Sequence, residues 1–169
     1  GDITGYSNVG GFAGYNYGTI ENCRNYASIT AHSGNIGGIA GYNEKGLIRD
    51  CYNAGKITAG YFNAGGIAAC NRGTIENCQN DGEVGVEQIN STYAWSKLNA
   101  AGGIVETNFG TLKNVLNTGY VHAPKYVGGI QAWFNGNVTQ VMQSAAVNVG
   151  MLWTANTDDA NTIGNIIGK

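Results

Sequence analysis

The chain has 169 residues, a length that fits one domain and can bury a continuous core. Only 12% of the residues are charged, the formal net charge is −2, and 28 glycines stand against a single proline, Pro124. This balance supplies no basic stripe for nucleic acid and no polybasic segment for a lipid surface, and no run of about 18 apolar residues is present, so neither nucleic-acid binding nor membrane insertion is expected. The first residues do not read as an export signal either.

Taken in chain order, the sequence repeats itself. A Gly-Gly-apolar element occurs as Gly10-Gly11-Phe12, Gly37-Gly38-Ile39, Gly65-Gly66-Ile67, Gly102-Gly103-Ile104 and Gly128-Gly129-Ile130, with Gly164-Asn165-Ile166 as a sixth start. Successive starts differ by 27, 28, 37, 26 and 36 positions, so the period is about 27 with two insertions of about ten, at 86–101 and 148–162. A second element follows in each copy: Gly18-Thr19-Ile20-Glu21-Asn22-Cys23, Gly46-Leu47-Ile48-Arg49-Asp50-Cys51, Gly73-Thr74-Ile75-Glu76-Asn77-Cys78, Gly110-Thr111-Leu112-Lys113-Asn114-Val115 and, more worn, Gly136-Asn137-Val138-Thr139-Gln140-Val141. A third closes each copy as Ser28-Ile29-Thr30, Lys56-Ile57-Thr58, Glu83-Val84-Gly85, Tyr120-Val121-His122 and Ala146-Val147-Asn148.

Three short β-type segments per period predict an all-β, right-handed single-stranded parallel β-helix of about five triangular coils, spanning 1–169 as one domain. One coil alone cannot bury its Ile and Val side chains; stacked coils remove them from water and pair their backbones. Helices are disfavoured, because glycine at this density costs about 1 kcal/mol per helical position relative to alanine. Equivalent positions then form rows. Apolar rows are Phe12, Ile39, Ile67, Ile104, Ile130 and Ile166; Ile20, Ile48, Ile75, Leu112 and Val138; and Ile29, Ile57, Val84, Val121 and Val147. The row Asn22, Asp50, Asn77, Asn114 and Gln140 suits a sharp left-handed corner, and the row Asn25, Asn53, Asn80, Asn117 and Gln143 suits an amide ladder. Glu21, Arg49, Glu76 and Lys113 alternate in charge and are expected to fix register. Both ends of the sequence fall inside a repeat, which suggests a fragment of a longer protein.

The segments Gly11-Phe12-Ala13-Gly14 and Gly38-Ile39-Ala40-Gly41, each followed by an Asn-Cys or Asp-Cys element, resemble the GLUG-repeat family, modules named for a Gly-Leu-any-Gly core and found in large bacterial surface and secreted proteins, including IgA-specific metalloproteases. Later copies, such as Gly66-Ile67-Ala68-Ala69 and Gly103-Ile104-Val105-Glu106, lose the final glycine. The resemblance implies an extracellular or cell-surface β-helical module and carries no catalytic residue to this chain.

Cys23, Cys51 and Cys78 share a row that continues as Val115 and Val141, which marks them as small core residues with free thiols, although a Cys70 to Cys78 bridge stays open. His32 and His122 are expected in solvated loops, and no zinc site is expected. No nucleophile triad, phosphate loop or cofactor motif is present; Asp158 and Asp159 are the one close carboxylate pair, where a loosely held calcium could sit. Loops at the corner between the third segment and the next first segment carry Tyr61, Phe62, Tyr93, Trp95, Tyr126 and Trp153, a possible face for a glycan or for a host or neighbouring protein; the same aromatics could instead pack the loops or cover an adjoining domain of the parent chain. The expected function is a non-catalytic spacer or adhesion module, and the alternative is part of a polysaccharide-active β-helix enzyme, which would need carboxylates at a defined separation.

Overall fold

The computed structural model describes residues 1–87, 99–133, 142–154 and 163–164, and among these every element is a strand, turn or bend. The paired strands are parallel and form four ladders. The first contains Asp2–Gly5, Ser28–Ala31, Ile57–Ala59, Val84–Val86, Val121–Ala123 and Leu152–Thr154. The second contains Val9–Gly10, Ile36–Gly37, Asn63–Gly65, Ala100–Gly102, Tyr126–Gly128 and Ile163–Gly164. The third contains Ala13–Asn16, Ala40–Asn43, Ala68–Asn71, Val105–Asn108 and Gln131–Trp133. In the fourth, Thr19–Glu21 and Arg24–Asn25 are followed by Leu47–Arg49 and Tyr52–Asn53, then by the single strands Thr74–Asn80, Thr111–Asn117 and Met142–Asn148. The chain is therefore a parallel β-solenoid of about five turns.

The first of the expected segments is divided in two by its Gly-Gly-apolar bend, and packing explains the glycines. A Cβ on Gly66 would lie 2.0 Å from the Gly103 carbonyl oxygen of the next coil and 2.4 Å from Cγ of Asn80. A Cβ on Gly65 would lie 1.9 Å from the Ala68 carbonyl oxygen. The chain turns so tightly against the neighbouring coil that no side chain fits, and the apolar residue that follows is driven inward: Ile39, Ile67, Ile104 and Ile130 are fully buried.

Residues pair like with like. Ile29, Ile57, Val84 and Val121 pair in sequence along the first ladder, and Ile20, Ile48, Ile75 and Leu112 along the fourth. Two core clusters result, one of Ile39, Ile48, Ile67, Ile75, Ile104, Leu112 and Ile130, the other of Ile29, Ile36, Ile57, Val84, Val121 and Val127. Each buried member contributes about 1.5–3 kcal/mol, which makes these rows the main source of stability. Phe12 departs from its row: in the first coil it is 49% exposed.

The fifth coil corrects the sequence frame. Leu112 pairs with Gln143 in place of Val138, Asn117 with Asn148 in place of Gln143, and Val121 with Leu152 in place of Val147. The amide ladder decides the frame, because Asn117 Nδ2 donates to Asn148 Oδ1 at 2.7 Å and Asn148-Val149-Gly150 repeats the turn of Asn117-Thr118-Gly119. The offset between partners grows from 26 at Val105 and Gln131 to 31 at Asn117 and Asn148 and 36 at Val127 and Ile163. The extra residues thus enter at two places, and Leu152 and Trp153 are strand residues and not part of a loop at 148–162. The first insertion does fall between the Val84–Val86 and Ala100–Gly102 strands. Val138, Gln140 and Ile166 lie outside the described residues.

Candidate functional site

Among the described residues, amide ladders occupy two corners of each of the first four coils. Asn25, Asn53, Asn80, Asn117 and Asn148 form one, each Nδ2 donating to the Oδ1 of the next coil at 2.7–2.8 Å. Asn16, Asn43, Asn71 and Asn108 form a second at the same spacing, which sequence reasoning missed. Asn53 shows how completely such an amide is used. Its Oδ1 also accepts from the Gly55 N–H, and its Nδ2 also donates to the Gly55 carbonyl. The signal in the sequence was Asn-x-Gly, as in Asn53-Ala54-Gly55 and Asn71-Arg72-Gly73. The outer row Asn22, Asp50, Asn77 and Asn114 has the expected left-handed backbone, with φ between 50° and 54°, and Asn114 and Asn77 donate in turn toward Asp50. These rows hold backbone corners and are structural.

The outer surface of the first ladder is chemically mixed. Lys56 Nζ lies 3.1 Å from Glu83 Oε1, and His122 Nε2 lies 3.0 Å from the same oxygen. The imidazole crosses the space left by Gly85, where a Cβ would meet it at 2.2 Å, and stacks on Tyr120 with centroids 5.1 Å apart. Although burial alone would raise it, the Glu83 carboxyl sits below its ordinary range because Lys56 and His122 hydrogen-bond to its charged form. Trp153 pairs with His122 in register and is 52% exposed, and Met151 beside it is 72% exposed. Of the two histidines, His32 lies in an exposed bend as expected, whereas His122 does not sit in a loop. His122 is a strand residue, and His32 stacks on Tyr6 at 5.6 Å while meeting the edge of Tyr61 at 5.4 Å.

The other expected ligand residues divide. Tyr61 belongs to that Tyr6–His32–Tyr61 stack, and Phe62 is a left-handed corner whose N–H donates to Asn99 Oδ1. Tyr126 is a second-ladder strand residue with Lys125 Nζ 5.4 Å above its ring. Tyr93, Trp95, Asp158 and Asp159 lie outside the described residues. Among the described residues the aromatics therefore occur as separate groups, with Trp153 near Tyr120 and His122 and Tyr61 near His32. A further group combines stacked Tyr15 and Tyr42 with Arg72, whose guanidinium lies over both Tyr42 and Phe109.

Two titratable features face inward. Cys23, Cys51, Cys70 and Cys78 are all free, and Cys51 and Cys78 are buried as expected of core thiols. A surface groove of about 430 Å³ on the fourth ladder is lined by Arg24, Asp50, Cys51, Tyr52, Asn77 and Gln79. Glu106 stands in the row held by Ala69 in the preceding coil and is 1% exposed. Its carboxyl accepts from the Thr107 hydroxyl at 2.5 Å, yet burial pushes its pKa from 4.5 to about 8. The sequence marked it only as a lost glycine. No cluster of three or more His, Cys, Asp or Glu side chains suited to a metal ion occurs among the described residues.

Residues 5–30 and residues 32–58 each match the family model described as the GLUG motif. The chain carries two copies of the GLUG motif. The two matched GLUG motifs correspond to the first two coils, and later coils stack on them in register although their Gly-x-x-Gly cores have diverged. Comparison with curated proteins gives no match, and comparison with solved structures gives none.

Proposed function

We propose that this GLUG-repeat solenoid is a non-catalytic module of a bacterial secreted or cell-surface protein, serving as a stiff spacer and as an adhesion element for glycans. The observation that carries the reading is the outer surface of the first ladder, where Tyr120, His122, Met151 and Trp153 lie on successive coils. Planar rings next to polar side chains suit sugars, which stack their C–H faces on aromatics and hydrogen-bond through their hydroxyls. The carboxylate beside these rings, Glu83, is engaged by Lys56 and His122, which is the arrangement of an ion-pair network and not of an acid–base pair set apart for glycoside hydrolysis. The secreted setting is supported by the family resemblance and by a surface kept soluble with Asn, Ser, Thr and Gly at only 12% charge.

The test is a glycan array with the wild-type protein, Trp153→Ala and Tyr120→Ala. The reading expects a bound glycan class that both variants lose by about tenfold or more, the effect of roughly 1.4 kcal/mol or more of lost stacking. Equal retention by all three proteins removes this surface as the recognition element.

A further inference from the structure

We infer that Cys23 and Cys51 form a thiol–disulfide exchange site, which a small-molecule disulfide such as glutathione disulfide oxidises to a bridge between the first and second coils. The placement rests on register. Glu21 pairs with Arg49 and Arg24 pairs with Tyr52, so Cys23 lies directly opposite Cys51, and the Tyr52 N–H donates to the Cys23 carbonyl at 2.9 Å. Neighbouring parallel strands are about 4.8 Å apart, inside the Cα separation that a disulfide spans. The Cys51 thiol lies 3.7 Å from the Ile20 carbonyl oxygen, which places its sulfur on the side facing the first coil.

Accessibility and acidity assign the two roles. Cys23 is half-buried, whereas Cys51 and Cys78 are each 2% exposed, so Cys23 is the thiol that a small disulfide reaches. Cys51 lies between two thiols, and hydrogen bonds from Cys78 and Cys23 stabilise its thiolate and hold it below the ordinary thiol range despite burial. Cys78 is driven strongly upward, because it acts as donor to the Cys51 thiolate and because it is buried; it stays protonated.

The exchange proceeds in two displacements. The Cys23 thiol loses its proton and attacks one sulfur of RSSR, forming Cys23–S–SR and expelling RS⁻, which takes up that proton. The Cys51 thiolate then attacks the Cys23 sulfur, forming the Cys23–Cys51 bond and expelling the second RS⁻, which is protonated in turn. The protein loses two hydrogens and two electrons, and RSSR is reduced to two RSH.

The experiment treats the reduced protein with glutathione disulfide and reads intact mass and the disulfide-linked peptides. The expected result is loss of two hydrogens, one linked peptide joining Cys23 to Cys51, and a Tm several degrees higher that returns to the reduced value in dithiothreitol. Cys51→Ser should stop at a stable glutathione adduct on Cys23, and Cys78→Ser should oxidise as the wild type does. A wild-type protein that gains only a persistent adduct, forms no bridge, or joins a different pair of cysteines overturns the inference. The wild-type peptide map decides the matter even if a variant fails to fold.

Discussion

Glu106 gives the sharpest energetic prediction. Its carboxyl is fully buried with only the Thr107 hydroxyl as a hydrogen-bond partner among the described residues, and its pKa lies near 8 in the folded chain against 4.5 when solvated. An acid whose pKa is raised by folding leaves stability untouched below its unfolded value. As pH rises from 4.5 toward 8 the unfolded chain ionises while the folded chain holds its proton, so stability falls by about 1.4 kcal/mol per pH unit and levels off above 8. The span of 3.5 units corresponds to about 5 kcal/mol, a large share of the roughly 5–15 kcal/mol of a typical domain. Glu106→Gln keeps the shape and removes the titration. Urea denaturation followed by far-ultraviolet circular dichroism at pH 4.5, 6, 7.5 and 9 should show the variant gaining on the wild type across that window, by roughly 3 kcal/mol at pH 7. A stability difference that does not change with pH refutes the reasoning, since every other titrating group is shared by both proteins.

Three further outcomes follow from the packing. Asn53→Ala removes an amide that makes four hydrogen bonds and should cost roughly 2–5 kcal/mol in the same denaturation assay, whereas Asn114→Gly, at an exposed corner with φ of 50°, should change stability by less than about 1 kcal/mol. Gly66→Ala places a Cβ 2.0 Å from the Gly103 carbonyl oxygen and should abolish cooperative unfolding, read as loss of the denaturation transition. Ile67→Ala should cost about 2–5 kcal/mol, while Arg49→Ala, which breaks an exposed ion pair with Glu21, should leave the urea midpoint close to that of the wild type.

The fold was legible because its determinants are periodic and local. Ile29, Ile57 and Val84 recur at the coil spacing, and the left-handed corner at Asn22, Asp50, Asn77 and Asn114 demanded residues that accept that backbone. In the fifth coil the worn apolar pattern at Val138 competes with Asn-x-Gly at Asn148, and the frame follows the asparagine because the amide ladder tolerates replacement less than an apolar row does. The surface features were less legible. His122 finds Glu83 only because Gly85 leaves room between them, and the burial of Glu106 depends on what covers its coil; neither follows from residue type or spacing. Of the aromatics expected at one corner, Trp153 moved to the first ladder with the corrected frame, where it meets His122.

The stacking of equivalent residues along one axis is tested most directly by through-space contacts between isoleucine methyl groups, measured by NMR on a methyl-labelled sample. The stacked arrangement expects strong cross-peaks linking Ile39 to Ile67, Ile67 to Ile104 and Ile104 to Ile130, each pair separated by a full coil of sequence. Cross-peaks confined to sequence neighbours, with none between these pairs, would contradict it.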